Sequence, residues 1–202
     1  QDALPRHVTV FVTPAGNGAV LMFEDRARSM RLRTLEAQYY RAVIQQAWGE
    51  RHLEGNLGTY WSGASCRDIS VAMPYSHIAV HASTLAEQVM FRAQTDEACI
   101  RVWERDPDTG GVSVHDVVPA TERRLDFGDL TVFYDDGLAA HLKALRLATL
   151  PNETGGVLLG YHDFNVGAIV LVDALPAPSD SHASPGSFER GTSGLVRAVQ
   201  DA

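Results

Sequence analysis

The sequence has little of what marks a secreted, membrane-bound or nucleic-acid-binding protein. Only two cysteines occur in 202 residues, too few for a disulfide framework, so we expect a reducing cytoplasm. No apolar run approaches the roughly 20 residues of a membrane span, and the first residues lack the pattern of a secretory signal. The 25 acidic side chains outnumber the 17 basic ones and give a net charge of −8. They are spread along the chain without a basic patch, which argues against a nucleic-acid partner.

Strand and helix patterns alternate through the first part of the chain and predict an α/β fold. A strand pair joined by an Asn-Gly turn is predicted within residues 7–23. A helix is predicted from Ser29, its N-cap, to Trp48. A second helix follows Pro74, and its apolar side chains are expected to form the buried face: Ile78, Ala82, Leu85 and Val89. Two further strands are predicted to flank the turn Asp106–Gly111.

A polar segment without periodicity, Pro119–Arg124, predicts the boundary between two domains, 1–118 and 119–202. Beyond it a strand is followed by a helix that Asp135 or Asp136 can cap. The segment from 176 to 191 is rich in Pro, Ser, Asp and Gly and is predicted to be a loop.

Glu153 is the most informative residue of the second domain. It precedes Gly155, Gly156 and an apolar run predicted to be a buried strand, and the two glycines remove side chains that would crowd a neighbour. The order of helix, Glu, two glycines and strand resembles the JAB/MPN zinc metalloproteases, which cut isopeptide or peptide bonds after ubiquitin-like modifiers. The resemblance covers about Leu125 to Ala202 and includes the later Pro-rich segment and Phe188–Gly191.

The resemblance implies that Glu153 acts as a general base toward zinc-bound water. In that family the zinc ligands are a His-x-His pair and an Asp further along. No His-x-His occurs in this chain, so we assign no metal ligand. His182 is expected to be exposed. His77 and His81 stand four residues apart on a predicted helix, and we expect a structural role for them because no catalytic Glu lies between.

Cys66 is the candidate nucleophile of the first domain. Small residues precede it, and Arg67 beside it would favour the thiolate. A buried structural cysteine is the alternative reading of the same features. Cys99 lies among apolar residues of a predicted strand and is expected in the core.

Three segments of the first part resemble the closing part of a ThiF-type adenylating domain, as in ubiquitin-activating-like enzymes: Leu35–Arg41, Ser65–Ser70 and Ile78–Met90. The resemblance makes Cys66 the thioester cysteine. Such a domain needs a Gly-rich turn for ATP phosphates, whereas this chain has only Gly16-Asn-Gly18. The ATP-binding half is therefore expected upstream of the first residue, and the run of arginines from 26 to 33 is expected to be a solvated helix start.

Bacterial proteins that fuse a ThiF domain to a JAB domain show this order. We therefore expect an internal fragment that comprises the C-terminal part of a ThiF/Rossmann-like domain and the N-terminal part of a JAB/MPN domain. Zinc and ATP-Mg are expected in the longer protein and no cofactor in the fragment. A ubiquitin-like modifier is the expected partner, with a conjugating enzyme as a further candidate, and a homodimer stays open. Two alternatives remain: an inactive module that binds a ubiquitin-like tail, and an unrelated α/β hydrolase that pairs Cys66 with His77 or His81.

Overall fold

Two antiparallel hairpins build the first large sheet. The computed structural model describes residues 5–53, 55, 58–61 and 69–201. The strands of the first half are β1 (Val8–Val12), β2 (Gly18–Phe23), β3 (Thr59–Trp61), β4 (Ile69–Val71), β5 (Cys99–Arg105) and β6 (Val112–Val117). The sheet order is β1-β2-β5-β6, while β3 and β4 pair separately. Both predicted hairpins, β1–β2 and β5–β6, are confirmed.

One helix packs on each face of this sheet. Helix α1 (Leu32–Gln45), followed by a 3-10 helix (Ala47–Arg51), covers one face, and helix α2 (Tyr75–Arg92) covers the other. Strand β2 is buried along its whole length because its alternate residues pack against the two helices. An uninterrupted apolar run is what a strand between two helical layers requires.

The predicted start of the first helix at Ser29 is wrong. Helix α1 begins at Leu32, and the side chain of its N-cap residue, Arg31, makes no capping hydrogen bond. Ser29 instead donates its backbone N–H and its hydroxyl to the Asp25 carboxylate. The N–H of Leu32 donates to the carboxylate of Glu24, 3.1 Å away. The two residues that directly follow β2, Glu24 and Asp25, therefore hold the start of the helix.

The predicted buried face of α2 is partly wrong. Leu85 is buried, but Ile78 and Ala82 are exposed, and His81 is buried in their place. The helix is rotated so that Nε2 of His81 lies 3.0 Å from the carbonyl oxygen of Gly16 in the β1–β2 turn. The buried face of α2 therefore includes a polar side chain that is hydrogen-bonded to the sheet, as a buried polar group requires.

The chain divides into two compact units, Gln1–Pro119 and Ala120–Ala202. The second unit contains β7 (Glu122–Phe127), β8 (Leu130–Asp135), α3 (Asp136–Ala148), β9 (Gly156–Asp163), β10 (Ala168–Pro176), β11 (His182–Ser184), β12 (Ser187–Glu189) and α4 (Leu195–Asp201). Its sheet has the order β7-β8-β10-β9, with β10 parallel to β8 and antiparallel to β9. Helix α3 packs against β8 and β10.

Four predictions for the second unit can be compared with the structure. The helix cap is confirmed, since the Asp135 carboxylate accepts from the N–H of Leu138 at 3.0 Å. The segment predicted as a boundary, Pro119–Arg124, contains the division between the two units, and Glu122–Arg124 begin β7. The predicted loop from 176 to 191 contains the β11–β12 hairpin. Strand β9 is an edge strand with alternately exposed and half-buried residues, so the prediction of a buried strand is also wrong.

The fold is mixed α/β, as the sequence predicts. The identity of the two units as parts of a ThiF-type and a JAB/MPN domain stays a prediction. Within the described part of the chain, none of the helices combines the length and the apolar character that crossing a bilayer requires.

Candidate functional site

Glu153 lies in the connection between α3 and β9. Its backbone N–H donates to the carbonyl oxygen of Ser184 in β11, 2.8 Å away. The hydroxyl of Ser184 is in turn bonded to the hydroxyl of Ser187 at 2.7 Å, across the β11–β12 hairpin. The side chain of Glu153 is exposed. The hairpin therefore fixes the backbone of Glu153 and leaves its carboxylate open to a ligand.

The two glycines after Glu153 are required by close neighbours. A Cβ at position 155 would lie 2.5 Å from Cε1 of Phe188, in β12. A Cβ at position 156 would overlap the carbonyl oxygen of Leu175, in β10. The prediction that these glycines remove crowding side chains is confirmed. They let the turn that carries Glu153 lie directly on the sheet and on the hairpin.

An apolar groove of about 560 Å³ opens beside this turn. Helix α3, the start of β9 and the end of β10 form its walls, and Thr154, the neighbour of Glu153, is among the residues that line it. Its apolar walls are formed by Leu142, Leu145, Val157, Leu158 and Leu175. The groove can bury an apolar segment, while the carboxylate next to it can accept a proton or a hydrogen bond.

The residues around Glu153 do not fit the zinc that the resemblance implies. A zinc site takes three or four His, Cys, Asp or Glu ligands. Among the described residues, no three such side chains converge to hold a metal ion. His182 is exposed on β11, as expected. We derive no step through zinc for this chain.

The turn at Gly16-Asn-Gly18 does not fit a nucleotide phosphate either. Phosphate loops present free backbone N–H groups. Here the N–H of Gly16 donates to the carbonyl oxygen of Thr13, and the N–H of Gly18 donates to the Thr13 hydroxyl, both at 2.8 Å. In the nearby arginine run, Arg26 pairs with Asp96 and Arg28 pairs with Glu24. The first two contacts support a hairpin turn. The expectation of a solvated helix start is wrong at Arg28, whose side chain is mostly buried against Glu24 and precedes α1.

Of the two cysteines, only Cys99 lies within the residues that the structure describes. Cys66 lies outside the described residues, so its role as nucleophile or thioester cysteine stays a prediction, as does a contact between Cys66 and a histidine. Cys99 is buried in β5, which confirms the predicted core position. Burial raises the pKa of the Cys99 thiol, which disfavours the reactive thiolate.

A hydrogen-bonded series of three polar side chains, of which Tyr39 and His52 are buried and Glu104 is partly exposed, was not predicted from the sequence. The hydroxyl of Tyr39, in α1, donates to Nε2 of His52 at 2.8 Å. The Nδ1–H of His52 donates to the carboxylate of Glu104, in β5. Burial, reinforced by the nearby His115, lowers the pKa of His52 to about 4. The imidazole is therefore neutral near pH 7, which leaves Nε2 as the acceptor for Tyr39.

Glu104, His52 and Tyr39 follow the carboxylate, imidazole and hydroxyl order of a catalytic triad, but the Tyr39 hydroxyl cannot contact a substrate. Tyr39 is fully buried, and burial raises the pKa of its phenol. The hydrogen bonds among the three side chains instead link α1 to β5. His52 also packs edge-to-face on Trp48, which stacks on His115 at the wall of a second pocket of about 690 Å³. No local sequence pattern predicts that these residues meet, because 52 positions separate His52 from Glu104.

Comparisons with protein-family models, with curated proteins and with solved structures found no significant match to this chain.

Proposed function

We propose that the chain is part of a protein that activates a ubiquitin-like modifier and removes it from its targets. The order of the two sequence resemblances suggests this function. The structural observation that supports it is the placement of Glu153 beside an apolar groove, with its backbone held by Ser184 and its carboxylate exposed. A general base needs this access to the water or hydroxyl that it deprotonates.

In this proposal the chain supplies two parts of a peptidase site. The groove beside Thr154 would hold an extended tail, and Glu153 would take a proton at its carboxylate next to that tail. Zinc would supply an activated water in the longer protein. Since the described residues offer no set of zinc ligands, we propose that the 202-residue chain does not cleave a modifier by itself.

The first unit would belong to the activating part of the same protein. There Cys66 would receive the modifier as a thioester after ATP-Mg has been used to adenylate the modifier's C-terminus. The cytoplasm would be the compartment, with the modifier and a conjugating enzyme as partners. Each of these statements rests on the resemblance of the first part of the chain to a ThiF-type domain.

A second candidate is an inactive module that binds a ubiquitin-like tail. The observation that favours it is the contrast within the second unit. The described residues form a complete apolar groove of about 560 Å³ but bring together no three metal-ligating side chains. Binding of a tail peptide without cleavage, even in a longer protein, would support this candidate over the first.

The test measures zinc content and cleavage of a ubiquitin-like fusion. We expect no stoichiometric zinc and no cleavage in the 202-residue chain. In a longer protein that carries a His-x-His pair and an Asp, Glu153→Ala should abolish cleavage and leave zinc bound, because this Glu is not a metal ligand in the resembled family. Glu189→Ala, at an exposed residue of β12, is the matched control and should remain active. Full activity of Glu153→Ala, or full zinc occupancy of the short chain, would contradict the proposal.

A further inference from the structure

A pocket of about 690 Å³ opens in the first unit, at the end of the sheet where the β1–β2 turn lies. This turn, the 3-10 helix, the first turn of α2 and the facing ends of β5 and β6 line it. Its volume lies within the range of about 300–1,000 Å³ that is usual for small-molecule sites. The pocket shares no described lining residue with the groove beside Glu153, so the function proposed above gives it no role.

The Glu104 carboxylate supplies negative charge at the wall of this pocket. Its side chain is 19% exposed, and it accepts from the Nδ1–H of His52. Burial lowers the pKa of His52, so the imidazole stays neutral and leaves the charge of Glu104 in place. Two further carboxylates and two guanidinium groups line the pocket: Glu50, Asp106, Arg51 and Arg105. Because carboxylates outnumber guanidinium groups in the described lining, the pocket favours a cation.

Two polar atoms of the lining residues lack a hydrogen-bond partner. Oδ1 of Asn17 and Nδ1 of His77 are both shielded from solvent, and neither is bonded within the part of the chain that the structure describes. The oxygen can only accept, and the nitrogen accepts when the ring proton is on Nε2. Unpaired buried acceptors are costly, and a small side-chain rotation toward the pocket would let a ligand N–H satisfy them. These atoms favour a ligand that is rich in N–H groups.

An aromatic wall favours a flat ligand. The rings of Trp48 and His115 stack with their centroids 5.2 Å apart and their planes 13° from parallel, and both residues line the pocket. A flat apolar body packs well against such rings, and a cation near an indole is further stabilised. A bare metal ion gains nothing from this wall, and no three metal-ligating side chains converge among the described residues.

We propose that this pocket binds a small, flat organic cation, an amidinium or guanidinium group on an aromatic body. The N–H groups of the cation donate to the Glu104 carboxylate, and the aromatic body packs against Trp48 and His115. A planar cation with several N–H groups can form two parallel hydrogen bonds with a carboxylate, whereas an ammonium ion acts as a point charge. This proposal is independent of the function proposed above.

Three benzene derivatives of similar size test the charge that the pocket prefers: benzamidine is cationic, benzamide is neutral and benzoate is anionic. Isothermal titration calorimetry of the 202-residue chain should give a dissociation constant of about 1 mM or lower for benzamidine. Benzamide should bind about tenfold more weakly or worse, and benzoate should not saturate the chain, because its charge would meet Glu104.

Nuclear magnetic resonance locates the bound probe. Benzamidine should shift the indole N–H signal of Trp48, which lines the pocket. The signal of Trp103 should not move, because Trp103 is buried in the cluster on the opposite face of the sheet.

Variants separate the charge of Glu104 from its structural contact. Glu104→Gln keeps an oxygen that accepts from His52 but loses the charge, so the dissociation constant of benzamidine should rise about tenfold. The matched control is Glu97→Gln, at an exposed residue outside the described lining, and it should leave the constant unchanged.

A second pair of variants leaves the bond between Glu104 and His52 intact. Ser113 is exposed, lines the pocket and lies opposite Glu104 in the ladder of β5 and β6. Ser113→Asp should lower the dissociation constant of benzamidine and Ser113→Lys should raise it, each by about threefold. The proposal would be overturned if benzamidine did not bind, if benzamide or benzoate bound as tightly, if the Trp48 signal did not shift, or if neither Glu104→Gln nor the Ser113 pair changed the affinity.

Discussion

Replacement of Glu24 should be among the most damaging single changes in the first unit. This carboxylate is buried at the end of β2. It accepts from the N–H of His7 at 3.0 Å, from Nε of Arg28 at 2.8 Å and from the N–H of Leu32 at 3.1 Å. The same side chain thus joins the entry to β1, the loop after β2 and the first residue of α1.

The expected magnitude follows from what each substitution leaves behind. Glu24→Ala leaves two N–H groups without their acceptor and a mostly buried Arg28 side chain without its partner. Breaking a buried charge pair in this way costs about 3–5 kcal/mol of unfolding free energy. Glu24→Gln keeps an oxygen acceptor of similar shape but loses the charge, and we expect a loss of about 1–3 kcal/mol.

The same contacts predict a pH dependence. Burial opposes ionisation of Glu24, but the hydrogen bonds from His7, Leu32 and Arg28 outweigh it and lower the pKa below its ordinary range. A carboxyl group whose pKa is lower in the folded state stabilises the fold above the unfolded-state pKa, about 4.3. That contribution is lost as the pH falls through the folded-state pKa. Stability should therefore decline less steeply below about pH 4.3 in Glu24→Gln, which cannot titrate there.

Tryptophan fluorescence during urea unfolding isolates this unit, since all three tryptophans, Trp48, Trp61 and Trp103, lie before Pro119. The exposed Glu97 supplies the control: Glu97→Gln should change the unfolding free energy by less than about 0.5 kcal/mol. A Glu24→Ala variant as stable as the control would refute the reasoning. It would mean that water replaces the carboxylate at all three donors.

Two further predictions concern the buried groups of the first unit. Tyr39→Phe removes the donor to Nε2 of His52 and should cost about 1–2 kcal/mol in the same fluorescence assay, whereas Tyr75→Phe, at an exposed residue, should cost nothing measurable. Iodoacetamide at neutral pH should modify Cys66 faster than Cys99, because burial raises the pKa of the Cys99 thiol. Equal rates in the folded chain, or faster reaction of Cys99, would count against a reactive Cys66.

The features that were correctly predicted depend on neighbours in the sequence. The Asn17-Gly18 turn, the turn after Asp106 and the Asp135 cap each involve groups within a few positions of one another. In the second turn, the Asp106 carboxylate accepts from the N–H groups of Asp108 and Thr109. Such contacts depend little on the rest of the fold, so residue type and spacing suffice to predict them.

The candidate site could be predicted only in part. The sequence alone singles out Glu153 and the two glycines, because a carboxylate followed by Gly-Gly and an apolar run is a local pattern. The anchor at Ser184, 31 positions further on, and the groove beside α3 depend on how the hairpin and the sheet pack. The zinc site implied by the resemblance finds no counterpart among the described residues.

The sequence by itself determined the α/β class, the two hairpins of the first sheet, the cap of α3 and the core position of Cys99. Tertiary structure decided which carboxylate starts α1, which face of α2 is buried and where Tyr39, His52 and Glu104 meet. It also decided that β9 lies at an edge, although an apolar strand reads the same at an edge and at a centre. The physical reason is that burial and long-range hydrogen bonds depend on partners distant in sequence, and these partners override weak local preferences.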